Sequence, residues 1–182
     1  MKKLLLLTFI SLFVTTTFGQ KNESKVREVL TSSQHIKVVE DWSRVASFES
    51  GMAEYVKFIP ITITDLKTGT KTKAFRVDMY IRSDYVKDLK IYKKAYISYD
   101  EVQDFINFLE KQVIPNLNLE IPKNEVAFYK FNSIELSFVY KIRKKNKRTI
   151  IINFNSTDRD NTFWTKTQVK KIPELIKVLK TM

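Results

Sequence analysis

The chain has 182 residues, with 32 lysines and arginines against 20 aspartates and glutamates, a formal charge of +12, one histidine and no cysteine. Without cysteine there is no disulfide framework, no lipidated N-terminal cysteine and no thiolate metal site, and a single histidine is a poor basis for a zinc centre or a Ser-His-Asp triad. Only Gly51 and Gly69 lie beyond position 19, which excludes the glycine-rich phosphate loops of P-loop and dinucleotide-binding folds and the G-x-S-x-G nucleophile elbow.

Residues 1–19 have the grammar of a secretory signal peptide. Lys2 and Lys3 form a basic n-region, residues 4–14 are apolar except for Thr8 and Ser11, and Thr17 and Gly19 put small residues at the −3 and −1 positions of a cleavage site. A membrane span needs about 20 predominantly apolar residues, and the chain turns polar at Gln20. The expectation is an exported protein, periplasmic or extracellular, whose mature part, residues 20–182, is a single domain. Hydrophobic residues at 43% are ample for a packed core.

Residues 23–31 have helical composition, with Val26, Val29 and Leu30 on one face, whereas residues 35–45 have no clear period. Residues 55–64 are rich in β-branched and aromatic side chains, residues 65–69 supply a turn, and residues 73–82 alternate. Phe75, Val77, Met79 and Ile81 point one way; Arg76, Asp78, Tyr80 and Arg82 point the other. That pattern predicts an antiparallel hairpin with one buried and one wetter face. Pro60, which cannot donate to a ladder, is expected at an edge or a bulge.

The stretch YISYDEVQDFINFLEKQ follows. Residues 93–97 read as a strand, and Ser98 with Glu101 forms an S-x-x-E capping box. Val102, Phe105, Ile106, Leu109 and Val113 then make a helical stripe that Pro115 and Asn116 end. Asp100 and Glu101 are explained as cap and dipole residues without invoking catalysis.

Residues 115–124 carry two prolines and no period, and are expected to link two halves. Beyond them, residues 126–131, 134–143 and 149–154 read as strands around a Lys145-Asn146-Lys147 turn. Phe163-Trp164-Thr165 then stands where Tyr96-Ile97-Ser98 stands in the first half, Thr165 and Gln168 repeat the capping box, and Val169, Ile172, Leu175 and Ile176 repeat the stripe. Pro173 replaces Ile106, so the last helix is expected to kink or to start near Ile172. The predicted fold is α+β: a curved antiparallel sheet with helices packed on one face, built from two similar hairpin, strand and helix halves at residues 50–114 and 125–182.

The phrase at residues 96–109 resembles small exported bacterial proteins classed as domains of unknown function, in which a Y-x-D-Y-D-E-like phrase opens a helix. That resemblance implies an exported α+β domain and carries no known activity.

Candidates for chemistry are few. His35 is expected to be a partly exposed residue near the first strand. Asp158-Arg159-Asp160 lies in a polar loop that lacks the glycine and terminal glutamate of a calcium loop, so a solvated turn is expected there. The distinctive polar feature is Lys141, Arg143, Lys144, Lys145, Lys147 and Arg148, six basic residues that a hairpin would gather at its tip as a candidate anion-binding site, with Lys73, Arg76 and Arg82 as possible additions. Lipopolysaccharide, anionic lipid or acidic polysaccharide would be partners for it; nucleic acid is not expected for an exported chain, and no metal or cofactor is implied. The bland alternative is a soluble hairpin tip whose lysines guard an edge. The expected function is a non-enzymatic binding or interaction protein, with a hydrolase using paired carboxylates as the alternative. A continuous basic face beside the tip would favour binding, and facing carboxylates in a pocket would favour hydrolysis.

Overall fold

The computed structural model describes residues 24–83, 85–155 and 160–182. The expected signal peptide at 1–19, and Asp158 and Arg159 of the polar loop, lie outside the described residues.

The first helix, α1 (Lys25–Ser32), starts where Ser24 accepts from the Arg27 N–H at 3.2 Å. Five strands follow: β1 (Ile36–Glu40), β2 (Ala46–Glu49), β3 (Tyr55–Asp65), β4 (Lys71–Arg82) and β5 (Lys90–Ser98). They pair antiparallel in the order β1-β3-β4-β5, with β2 also on β3. The β3–β4 hairpin turns on Asp65, whose carboxylate accepts the N–H groups of Lys67 and Thr68 at 2.8 and 3.0 Å, and on Gly69 at φ 74°. These amides and the Ser33 hydroxyl hold the Asp65 carboxyl below its ordinary pKa, with the Thr68 amide the largest cause.

Pro60 occupies neither an edge nor a bulge. Glu40 pairs with Ile61 and Ala46 with Phe58, so the partner of β3 breaks off opposite Ile59 and Pro60. The Asp41 N–H reaches the Pro60 carbonyl at 2.9 Å as the chain loops out. The N–H that proline lacks therefore faces a gap between two strands, where no ladder bond is lost.

The second helix, α2 (Tyr99–Phe108), follows β5 directly. Ser98 and Glu101 form the expected capping box, and the Glu101 carboxylate accepts the Ser98 N–H at 2.8 Å and its hydroxyl at 2.7 Å. The helix continues through a π turn (Leu109–Val113) and ends in a 3₁₀ turn (Ile114–Asn116) at the expected proline. All five stripe residues from Val102 to Val113 are buried.

The second sheet comprises β6 (Ala127–Asn132), β7 (Leu136–Arg143), β8 (Lys147–Phe154) and β9 (Thr162–Thr165), antiparallel in sequence order. The last helix, α3 (Ile172–Leu179), begins after a 3₁₀ turn (Val169–Lys171), with Pro173 in its first turn. Of the two outcomes allowed for Pro173, a late start is the one adopted, because the missing N–H costs nothing in a helix's first turn. The second capping box is consequently absent. Thr165 ends β9, and its hydroxyl donates to the Glu49 carbonyl at 3.1 Å, tying β9 to the first sheet.

The α+β class is therefore as expected, with the strands divided between two open antiparallel sheets. Their inner faces enclose one core with α2 and α3: Phe58, Phe75, Val77 and Ile97 from the first sheet meet Phe138, Tyr140, Ile152 and Phe163 from the second. Phe105 of α2 lies between them, 6.3 Å from Phe58, 5.3 Å from Phe138 and stacked 4.6 Å from Phe131. A smaller cluster on the opposite side of the first sheet, Val26 against Ile59, Ile61, Ile63 and Ala74, is where α1 packs.

Polar contacts fasten the halves together. Glu135, in the turn before β7, accepts Arg27 at 2.7 and 3.1 Å and the Tyr96 N–H at 3.0 Å, and it also takes the Ser24 hydroxyl. Its carboxylate thus satisfies a donor on the free edge of β5. Glu101 accepts the Ile134 N–H at 2.8 Å from the same turn.

Candidate anion-binding face

Side chains along a strand alternate between faces, so the registers fix which residues of the second sheet point outward. One row runs Phe128, Lys141, Thr149; the next runs Lys130, Val139, Ile151, Trp164; a third runs Asn132, Ser137, Asn153, Thr162. At the hairpin end Arg143 faces Lys147. These outward positions hold four basic residues and no acidic one.

The hairpin tip is the turn Lys144–Asn146, with Lys145 and Asn146 in the left-handed region at φ 58° and 53°. Lys144 and Lys145 are exposed on it. Beyond β9, the Lys166 ammonium lies 5.1 Å from the centroid of the Trp164 ring. Lys130, Lys141, Arg143, Lys144, Lys145, Lys147 and Lys166 make no ion pair among the described residues. Arg143 and Lys147 are like charges directly opposite one another, an arrangement that works against the sheet.

Arg148 sits apart from the others. It falls on the inward parity, where it donates to the carbonyls of Asn146 at 3.1 Å and Leu119 at 3.3 Å. Asn146 in turn accepts the Ile121 N–H at 3.2 Å, and the Tyr140 hydroxyl donates to the Asn116 and Leu117 carbonyls. Burial pushes the Tyr140 phenol up from its ordinary pKa, with Arg148 opposing it. The segment expected to be a linker is thus pinned along the second sheet, and Arg148 serves that attachment.

Nor does the first half simply extend the basic tip. Arg76 lies on the outer face of the first sheet, gripped by Asp78 at 2.9 and 3.1 Å and by Glu40. Burial disfavours the guanidinium, and Asp78 and Glu40 outweigh it, holding its pKa above the usual arginine value. Tyr92 beside it is pushed upward by burial first and by the neighbouring Asp78 carboxylate. Lys57 and Lys94 flank Asp78 in register, so positive and negative charges alternate across that row, whereas at the far end of the sheet Arg82 stands opposite Lys90.

Lys73 lines a cavity of about 450 Å³ between α1, β4 and the start of α2, with Lys25, Lys71, Tyr99 and Asp100. Its acidic side chain, Asp100, pairs with Lys25 at 3.4 Å. A second cavity, of about 280 Å³, holds Glu40 and Asp41. Asp41 is bound by Arg44 and the Ser43 backbone N–H, and Glu40 by Arg76 and the Trp42 indole N–H at 3.1 Å. Each of these carboxylates is committed to a cation or an N–H donor, and no group of three metal-ligating side chains occurs among the described residues. His35 is exposed immediately before β1. Asp160 accepts from the Ser83 hydroxyl at 2.7 Å.

Sequence reasoning found the tip and missed the face. Lys130 and Lys166 lie outside the basic run, and only the strand registers bring them beside Lys141. The visible signal was alternation in β6, where Phe128, Lys130 and Asn132 share one parity. No helix of the described residues is long and apolar enough to cross a membrane. Comparison with protein-family models, with curated proteins and with solved structures returns no match.

Proposed function

We propose that this is an exported binding protein whose ligand is a polyanion, held on the outer face of the second sheet and its hairpin tip. The observation that carries the reading is the set of seven cations there that make no ion pair among the described residues, with no carboxylate at any outward position of β6 to β9. Exposed ammonium and guanidinium groups add little to folding. Gathered on one face, they set up a positive potential that attracts a dense negative charge, at about 1 kcal/mol per residue near an anionic surface. The tip residues Lys144, Lys145 and Lys147 and the face residues Lys130 and Lys141 act together; Arg148 holds the hairpin in place beneath them.

The test is binding to polyphosphate over a salt series. Affinity should fall steeply as salt rises, because exposed charges are screened beyond about 8 Å at physiological ionic strength. Replacing Lys141, Lys144 and Lys147 with Gln should weaken binding and flatten the salt dependence while leaving the thermal midpoint within a degree or two of the parent, since isolated surface substitutions usually stay within about 0.5 kcal/mol. A protein that ignores polyphosphate at low salt, or a variant that binds as the parent does, would remove the reading.

A further inference from the structure

We infer that the polyanion is the headgroup layer of an anionic lipid membrane, on which the outer face of the second sheet lies flat with Phe128 and Trp164 entering the interface. The inference rests on the polyanion-binding reading and names its partner. Charge is complementary: every charged side chain at the outward positions of β6 to β9 is cationic, and a membrane rich in phosphate monoanions presents the matching plane.

Two exposed aromatics stand at opposite edges of the same face. Phe128 is 65% exposed and Trp164 44% exposed. They stand on β6 and β9, the two edge strands, three strand spacings or roughly 14 Å apart. Val139 and Ile151, half-buried, lie between them in the row that ends at Trp164. The face is therefore a plane with an apolar centre line, an aromatic anchor at each edge and lysines interleaved. Indole rings settle at the headgroup level, where one end of the ring is wet, and lysine stems lie along apolar surface while their ammonium groups reach phosphate. Two anchors set well apart fix the angle of the sheet against a plane, which a single insertion cannot do.

Sedimentation with vesicles of phosphatidylglycerol and phosphatidylcholine tests it, alongside binding to soluble polyphosphate. The protein should bind the mixed vesicles and leave pure phosphatidylcholine vesicles in the supernatant. The double variant Phe128→Ser, Trp164→Ser should lose about tenfold or more in vesicle affinity and keep its polyphosphate affinity, because the apolar contact alone is removed. With brominated lipids, quenching should persist in Trp42→Phe and disappear in Trp164→Phe, a conservative pair that preserves the fold. Polyphosphate binding without vesicle binding would overturn the membrane and leave the polyanion reading standing; failure of both would remove both. Full vesicle affinity in the double variant, or quenching that vanishes with Trp42 instead, would likewise overturn it.

Discussion

On the outer face of the first sheet, Lys57, Asp78 and Lys94 stand in register as plus, minus, plus, Arg76 is held between Asp78 and Glu40, and α1 covers the remaining Ile59, Ile61 and Ile63. On the outer face of the second sheet Arg143 stands opposite Lys147, Lys141 opposite Phe128, and the three helices all pack elsewhere. The inner faces, by contrast, contribute to one core. The first outer face neutralises Arg76 and covers its isoleucine row, and its like charges, Arg82 opposite Lys90, stand at the far end of the sheet beside Tyr92. The second carries like charges side by side and leaves two aromatics in solvent, both of which act weakly against folding. A surface arranged against its own stability is where a ligand's contribution should be sought.

The core that the sheets share should be the most sensitive part. Phe105→Ala removes a ring in contact with Phe58, Phe131 and Phe138 and should cost about 3–5 kcal/mol in urea unfolding. Far-ultraviolet and near-ultraviolet signals should still move together, because both sheets depend on that ring. Separate transitions would mean that the halves are independent domains.

A smaller effect is expected at the polar fastening. Glu135→Ala removes the acceptor of the Tyr96 N–H together with the Arg27–Glu135 ion pair and should cost about 1–3 kcal/mol. Ser98→Ala should follow at roughly 1 kcal/mol, through the capping box of α2. Thr165→Ala should act differently: the loss of its bond to the Glu49 carbonyl would loosen the contact of β9 with the first sheet without lowering helicity. Circular dichroism of the two variants separates these outcomes.

The outer faces themselves should respond least in stability. Arg143→Glu converts a like-charge pair with Lys147 into an opposite pair, so stability should rise by about 0.2–1 kcal/mol while polyanion binding falls. Opposite movement of the two quantities is the signature of a face kept at some cost to the fold. Extremes of pH should bracket the comparison. Asp65 has a lowered folded pKa, so its contribution is present above the unfolded value of about 4 and is lost as pH falls through the folded value. Tyr140 has a raised folded pKa, so stability holds below about pH 10 and declines as pH climbs toward the folded value. Tyr140→Phe should remove that alkaline contribution from thermal melts.

Much of this fold was legible where the information is local. The β3–β4 alternation, the Ser98–Glu101 box and the stripe from Val102 to Val113 each follow from residues within a few positions of one another. Thr165 had the same local signal and failed, because Pro173 sets where α3 can start and Thr165 has an acceptor at Glu49, distant in sequence. Strands β1 and β2 were illegible because the break between them is set by Pro60 on a third strand. The basic tip was readable as composition. Its extension through Lys130 and Lys166 was not, since only the pairing of β6 to β9 reveals it; nor could sequence tell that Arg148 turns inward to the Leu119 carbonyl.

The most direct test compares two charge-matched variants, one per sheet. Lys141, Lys144 and Lys147 changed to Gln remove three cations from the second outer face; Lys57, Lys90 and Lys94 changed to Gln remove three from the first, where each lies over a tyrosine ring. Net charge is then identical, so any difference reports position. At one fixed salt concentration, polyphosphate affinity should drop about tenfold or more for the first variant, roughly 0.5–1 kcal/mol per lysine, and stay close to the parent for the second. Equal losses in the two would show that total charge alone governs binding, and would contradict the assignment of the second sheet as the binding face.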